Sequence, residues 1–179
     1  MERNTTKLVC GVGYQTKGQY SKKNAPKIYT VWSAMLYRCY GKNARIMYPT
    51  WSGFTVCDEW LCFQNFALWF VDNYVEGFHL DKDWKVLGSK VYSPETCCFI
   101  PAEINTCKGD LSKSKGYTIV NGRYAVMGMS DKAHHLGTYK TEEEARQVFV
   151  NFKRDVIRQK AEKWKSQIPK EVYNNLINI

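Results

Sequence analysis

The sequence of 179 residues predicts an α+β fold, in which helices and strands occupy separate stretches of the chain. Three observations support this prediction. Aromatic residues recur at helical spacing in the first part, two extended runs and a short helix follow in the centre, and a hairpin signal precedes a long amphipathic helix near the end. An apolar content of 44% supplies enough side chains for packed cores, which excludes a chain that is disordered throughout.

The cysteine pattern indicates a reducing, cytoplasmic setting. The seven cysteines are an odd number, and the polar start Met1-Glu2-Arg3-Asn4 is not followed by the apolar segment of a signal peptide. The sequence has no C-x-x-C pair, so buried free thiols are preferred to a zinc site. It also has no run of about eighteen apolar residues, so no membrane partner is expected.

The net charge of +9 is concentrated at the two ends of the chain. Residues 1–27 carry six Lys or Arg and one Glu, residues 28–110 carry seven against nine Asp or Glu, and residues 111–179 carry thirteen against seven. Basic ends around a less basic centre suit a protein whose flanks contact phosphates. A generic basic surface would give the same distribution.

The first 27 residues are predicted to form a flexible basic arm. They are rich in Gly, Lys, Ser, Thr and Asn and show no clear periodicity. Tyr14 and Tyr20 lie among the lysines and could stack on bases. A plain disordered tail explains the same composition.

Two aromatic-rich helices are predicted between the arm and the centre. The first covers residues 28–41, and Gly41 can end it. The second is capped by Asp58 and runs from Glu59 to about Tyr74. Because their aromatic residues follow helical spacing, these stripes are interpreted as core rather than as a surface for stacking on bases.

The central stretch, residues 78–108, is predicted to form a strand, a loop, a second strand and a short helix. His79, Asp81 and Asp83 have a spacing of two, so they are expected to share one face of the first strand. Asn105 lies on the helix that follows. Two carboxylates, an imidazole and an amide oxygen could converge on Mg²⁺ or another divalent cation. The alternative is that the carboxylates are merely solvated and that His79 packs locally.

This stretch resembles the HNH endonuclease family, in the form common in phage genomes. The matching residues are Leu80-Asp81-Lys82, Tyr92-Ser93-Pro94-Glu95-Thr96-Cys97 and Asn105. The resemblance implies a ββα domain over residues 28–110 that nicks double-stranded DNA in the bacterial host cytoplasm. It also implies that Asp81 and Asn105 are metal ligands.

Two residues depart from the pattern of that family. Lys82 stands where the family has its general-base histidine, and Thr96 stands where the family has an asparagine that braces the loop. Lysine is a poor general base at neutral pH, so His79 is the other candidate for the base.

Residues 111–179 are predicted to form a three-stranded antiparallel sheet followed by one long helix, after a Ser- and Lys-rich linker at residues 109–115. Asn121-Gly122 between two strand-like runs is the strongest short hairpin signal. Thr141 followed by three glutamates predicts the capped start of the helix.

This arrangement resembles the AP2 DNA-binding domain. The matching residues are Gly122-Arg123-Tyr124-Ala125-Val126, Leu136-Gly137-Thr138-Tyr139 and Thr141-Glu142-Glu143-Glu144-Ala145, although that family usually has Trp at the position of Tyr124. The resemblance implies that the sheet face binds the major groove of double-stranded DNA. Arg123 is a candidate contact on strand alternation, and Lys132, His134 and Lys140 are expected near the same surface. For each of them the alternative is a solvent-facing hairpin residue.

Two functions follow as hypotheses. The first is a metal-dependent, homing-type endonuclease in which the C-terminal module holds the DNA. The second is a catalytically inactive regulator or inhibitor on the same scaffold, which binds DNA or another protein.

Overall fold

The computed structural model describes residues 3–107, 111 and 115–179, with side chains for all of these except residues 3–7 and 45. Most of the predicted linker at residues 109–115 lies outside the described residues. The described residues contain both helices and several small sheets, which confirms the α+β prediction. The chain divides into two compact units, Met1–Ile100 and Pro101–Ile179, so the boundary falls before the predicted one at residue 111.

The first unit begins with the strands β1 and β2 and ends with β6. Its elements in chain order are β1 Arg3–Val9, β2 Gly13–Thr16, α1 Pro26–Tyr40, α2 Ala44–Met47, a 3-10 turn Pro49–Trp51, β3 Thr55–Val56, α3 Asp58–Leu61, α4 Phe63–Asn73, β4 Phe78–Asp81, β5 Val91–Tyr92 and β6 Cys98–Pro101. The strands form three two-stranded sheets, which pair β1 with β2, β3 with β5 and β4 with β6.

The first residues form a β-hairpin rather than an irregular arm. β1 and β2 are antiparallel, and their register shifts between Asn4 and Val9, which explains the absence of a regular sequence period. β2 packs closely on α1, because a Cβ at Gly13 would lie 2.3 Å from Leu36 Cδ1 and 2.9 Å from Trp32 Cζ2. The prediction of a flexible arm therefore does not hold for residues 3–16.

The aromatic stripes of the predicted helices form the core of this unit, as expected. α1 buries five side chains, Ile28, Trp32, Met35, Leu36 and Cys39. The indole Nε1 of Trp32 donates a hydrogen bond of 2.6 Å to the carbonyl of Trp60. An apolar core with a satisfied indole N–H fixes the packing of α1 against the segment of α3 and α4.

The predicted second helix is interrupted. Cys62 has an extended backbone between α3 and α4, since it forms a parallel bridge with Tyr14 of β2. The Cys62 thiol also lies 3.6 Å from the hydroxyl of Thr16. Asp58 is the first residue of α3 rather than its cap, which is Cys57. The pairing with β2, a contact distant in sequence, overrides the helical pattern at this point.

The second unit has the predicted three-stranded sheet and long helix. Its elements are α5 Ala102–Asn105, β7 Tyr117–Val120, β8 Arg123–Met129, β9 Ala133–Tyr139, α6 Glu142–Trp164 and α7 Lys170–Ile177. The three strands are antiparallel with β8 in the middle, and α6 packs on β8 and β9. In the part of the chain that the structure describes, no helix is long and apolar enough to cross a membrane.

Local signals in the sequence explain this second unit. Asn121 and Gly122 have φ of +50° and +71°, as a two-residue hairpin turn requires. The Thr141 hydroxyl accepts from the N–H of Glu144, whose carboxylate accepts from the N–H of Thr141. This capping box starts α6 as the sequence predicts. Val126 of β8 and Ala145 of α6 are fully buried, which places the core between the helix and one face of the sheet.

Candidate functional site

The side chain of Asp81 closes the turn after β4. Its Oδ2 accepts hydrogen bonds of 2.8 Å from the backbone N–H groups of both Asp83 and Trp84, and the residue is 5% exposed. The strand ends at Asp81, so Asp83 lies in the turn with its side chain in solvent, and His79 is also exposed. Asp83 therefore does not share a strand face with Asp81, contrary to the prediction, whereas His79 and Asp81 keep their spacing of two on β4.

Burial raises the pKa of the Asp81 carboxyl to about 6, and the nearby Asp83 carboxylate acts in the same direction. The two backbone N–H donors and the Lys82 ammonium oppose this rise. Desolvation is the larger effect because the charged form loses more water than two amide dipoles replace. The arrangement stabilises a turn, and it holds a carboxyl that gains a proton at mildly acidic pH.

Lys82 lies in the interior of the first unit. Its side chain is 2% exposed, and its Nζ lies 3.7 Å from the centroid of the Phe54 ring and 5.7 Å from that of Tyr92. The ammonium donates to the Asp83 carboxylate and, at 3.2 Å, to the carbonyl of Ser89. Aromatic faces, a carboxylate and a carbonyl together hold the charge, as a buried lysine requires. These contacts make Lys82 a structural residue of the turn.

Thr96 braces the turn that carries the Tyr92 to Cys97 motif. Its hydroxyl donates to the carbonyl of Val91 at 2.6 Å and accepts from the N–H of Ser93 at 3.1 Å. A side-chain hydroxyl that joins both ends of a four-residue turn fixes its geometry. Thr96 therefore holds the loop although asparagine, the residue usual in the resembling family, is absent.

Asp81, Asp83 and His79, the candidate ligands of the first unit, do not fit a metal centre. The Oδ2 of Asp81 already accepts two hydrogen bonds, Asp83 is paired with Lys82, and His79 is exposed. Asn105 lies on α5, in the second unit. Across the described residues 3–107, 111 and 115–179, no three His, Cys, Asp or Glu side chains form a group that could hold a metal ion.

The sheet of the second unit has one face against α6 and one face in solvent. A Cβ at Gly128 would lie 2.4 Å from the Phe152 ring of α6, so Val126 and Gly128 mark the covered face. Strand alternation and register then define the open sheet face. Its residues are Thr118, Val120, Arg123, Ala125, Met127, Met129, Ala133, His135 and Thr138.

Three of the predicted DNA contacts lie on or beside the open sheet face. Arg123 is exposed at the start of β8, Lys132 is exposed in the turn before β9, and Lys140 is exposed directly after β9. Among the residues that the structure describes, neither Arg123 nor Lys140 forms a salt bridge. The open sheet face itself carries no acidic side chain in its described residues. Its cations are therefore available to an anionic partner.

His134 lies on the covered face, which corrects its assignment to the DNA surface. Its ring centroid is 5.6 Å from that of Phe152, and its Nε2 is 2.8 Å from the hydroxyl of Ser130. The reason is a β-bulge in β9, where Val126 pairs with Gly137 but Met127 pairs with His135. The extra residue reverses the alternation, so His135 is on the open sheet face instead.

The sequence carries one signal for this bulge. Gly137 has φ of +125°, a conformation that L side chains rarely adopt. A glycine inside a strand pattern marks a bulge or a close approach of the backbone. When the alternation of side chains is counted separately on each side of Gly137, His135 rather than His134 lies on the same sheet face as Arg123.

Comparisons with known proteins give no relative for this chain, since no family model, no curated protein and no solved structure matches it. The fold and the site thus define an α+β protein with a basic, uncovered antiparallel sheet and with a closed, hydrogen-bonded turn at Asp81 and Lys82.

Proposed function

We propose that this chain is a regulator that binds double-stranded DNA through the open sheet face of its second unit. The observation that carries the proposal is a solvent-exposed three-stranded face with basic side chains on and beside it and no acidic side chain among its described residues. The resemblance of residues 122–145 to the AP2 domain supports the same partner.

The chemistry of the open sheet face suits the major groove. Strands can enter that groove, where arginine pairs with guanine and small apolar side chains contact the thymine methyl group. Arg123 supplies the first kind of contact, while Ala125 and the half-exposed Met127 supply the second. Lys132 and Lys140 at its edges are placed for phosphates, whose contacts position the protein without reading sequence.

The charge of the second unit favours the same partner. The second unit, Pro101–Ile179, carries fourteen Lys or Arg against nine Asp or Glu, and three of those acids are Glu142, Glu143 and Glu144 in the first turn of α6. Acids in the first turn of a helix stabilise the helix itself. Outside this turn the unit carries fourteen basic residues against six acidic ones, a balance that favours a polyanionic partner.

A binding assay tests the proposal directly. We expect the wild-type chain to bind a labelled duplex, and the Arg123→Ala/Lys140→Ala variant to bind about 10- to 100-fold more weakly. The matched control is Arg158→Ala/Lys170→Ala, which removes the same charges from α6 and α7 and is expected to retain most of the affinity. Equal losses in both variants would contradict a specific role for the open sheet face.

Metal-dependent cleavage is the second candidate, and the element order supports it. A strand, a loop, a strand and a short helix follow one another from Phe78 to Asn105, as in the resembling nuclease family. A plasmid nicking assay with Mg²⁺ or Mn²⁺ and an EDTA control decides between the two functions. The proposed regulator binds the plasmid and leaves it supercoiled, whereas a metal-dependent nick that the variant Asp81→Ala lacks would establish the nuclease.

A further inference from the structure

The first unit contains a long basic segment, and DNA binding by the open sheet face of the second unit does not account for it. Residues 3–57 contain nine Lys or Arg and no Asp or Glu. Lys27 is paired across the unit with Glu76, but Lys42 forms no salt bridge among the described residues. A run of this length without an acidic residue fits contact with a polyanion and opposes contact with a basic protein.

Apolar side chains project from the middle of this acid-free run. Ile46 is 79% exposed and Met47 is 63% exposed, at the end of the short helix α2. Tyr48 is also exposed, and its ring stacks on that of Trp51 with 4.1 Å between centroids. Isolated exposed apolar residues are common, but a consecutive pair beside a stacked aromatic pair marks a contact surface.

The segment from Ala44 to Trp51, which we call the tip segment, is held rigidly by its own backbone. Three backbone hydrogen bonds of 2.8 to 3.0 Å hold it. The N–H of Met47 donates to the carbonyl of Asn43, the N–H of Tyr48 donates to the carbonyl of Ala44, and the N–H of Trp51 donates to the carbonyl of Tyr48. Ala44 is fully buried and anchors the base of the segment. A rigid projection loses little conformational entropy on insertion into a partner.

The positively charged side chain of Arg38 lies beside the tip segment. The Arg38 guanidinium carbon lies 5.9 Å from the centroid of the Trp51 ring, and the side chain also forms a hydrogen bond with Tyr92. The position of Arg38 is therefore fixed from two sides. Exposed apolar side chains flanked by fixed positive charge are the features of proteins that insert a wedge between base pairs while cations contact the adjoining phosphates.

We propose that the tip segment is a wedge, in which Ile46 and Met47 insert between base pairs of duplex DNA from the minor groove and bend it. This inference rests on the proposed function for its partner, and it adds a second contact on the other unit. Insertion removes two exposed apolar side chains from water, and it costs the unstacking of one base step. Arg38 and Lys42 would contact the phosphates beside that step.

The test measures bending and affinity together. A duplex of about 25 base pairs carries a donor and an acceptor fluorophore at its two ends, because a bend over this length shortens the distance between them. We expect energy transfer to rise when wild-type protein binds. The variant Ile46→Ala/Met47→Ala should lose most of that rise and bind about tenfold more weakly, which corresponds to ~1.4 kcal/mol.

A matched control removes two other exposed apolar side chains of the same unit. Leu68 and Val71 on α4 are 53% and 52% exposed, and Leu68→Ala/Val71→Ala is expected to bend and bind the duplex like the wild type. Thermal melting of all three proteins checks that the fold is intact. Equal energy transfer from the wedge variant and the wild type would overturn the proposal.

The remaining outcomes separate this inference from the proposed function. Wild-type protein that binds the duplex without bending it overturns the wedge and leaves the role of the open sheet face intact. Tighter binding to a single strand, lost in Tyr48→Ala but kept in the Ile46→Ala/Met47→Ala variant, also overturns the wedge in favour of base stacking. Failure of the wild type to bind any duplex overturns both proposals.

Discussion

The ammonium of Lys82 lies 3.7 Å from the centroid of the Phe54 ring, inside the first unit and 2% exposed. The resembling nuclease family has its general-base histidine at this position. The lysine cannot reach a substrate in solvent without leaving the aromatic ring, the Asp83 carboxylate and the carbonyl of Ser89. Its contacts stabilise the turn after β4, and this role leads to the first prediction.

Removal of the Lys82 side chain is expected to destabilise the protein. Lys82→Ala leaves a cavity beside Phe54 and should lower the free energy of unfolding by about 2 to 4 kcal/mol. Lys82→Met refills the cavity with an unbranched apolar chain and should recover most of that loss, because its partner Asp83 is solvated. Chemical denaturation measures both variants. A methionine variant as unstable as the alanine variant would show that the charge, not the packing, matters.

The burial of Asp81 predicts a pH-dependent stability. The folded state raises the pKa of this carboxyl from 3.8 to about 6, so its favourable contribution is present below pH 4 and is lost as the pH rises through 6. Asp81→Asn keeps an oxygen that accepts from the N–H groups of Asp83 and Trp84 but carries no charge. The free energy of unfolding of this variant, relative to that of the wild type, should therefore rise by roughly 2 to 3 kcal/mol between pH 4 and pH 7.

Denaturation at a series of pH values measures this difference. Asp72→Asn is the control, because Asp72 is exposed on α4 and its replacement should leave the pH dependence of stability nearly unchanged. A difference between Asp81→Asn and the wild type that stays constant from pH 4 to pH 7 would contradict the raised pKa.

Divalent metal is expected to leave the melting temperature unchanged. A ligand that binds only the folded state raises its stability by mass action, and the Asp81 turn has no free set of ligands for a cation. Thermal melting with Mg²⁺, Mn²⁺ or EDTA measures this. A rise in melting temperature with Mg²⁺ in the wild type that is absent in Asp81→Asn would restore the metal-centre hypothesis.

The neighbouring residues His134 and His135 should have different roles. His134 packs on Phe152 beneath the sheet, so His134→Ala is expected to lower the melting temperature and leave the affinity of the folded protein for duplex DNA unchanged. His135 is on the open sheet face, so His135→Ala should weaken binding by a few-fold, about 1 kcal/mol, with little change in stability. The reverse pattern would show that the bulge in β9 is wrongly assigned.

Local signals were sufficient for the second unit. The Asn121-Gly122 turn and the Thr141 cap act within a few residues, and each fixes the element beside it. Regular alternation predicts the wrong face for His134, because the bulge at Gly137 changes the alternation by one residue. An error of this kind follows whenever one residue without a cross-strand partner is counted as part of a regular strand.

Contacts between distant residues account for the other differences. Cys62 interrupts a helical pattern because it bridges to Tyr14, and the N-terminal hairpin forms because β2 packs on Trp32 and Leu36. Asp81 could be recognised as a carboxylate at a strand end, but its hydrogen bonds to the turn depend on where the strand stops. None of these pairings has a period or a motif that the sequence alone displays.

The salt dependence of DNA binding tests the open sheet face most directly. The logarithm of the affinity of the wild type for a duplex should fall linearly with the logarithm of the salt concentration. If Lys132 and Lys140 each contact a phosphate, their double alanine variant should have a slope smaller by about two, and Arg158→Ala/Lys170→Ala should keep the wild-type slope. An unchanged slope in the Lys132→Ala/Lys140→Ala variant would contradict DNA binding by this face.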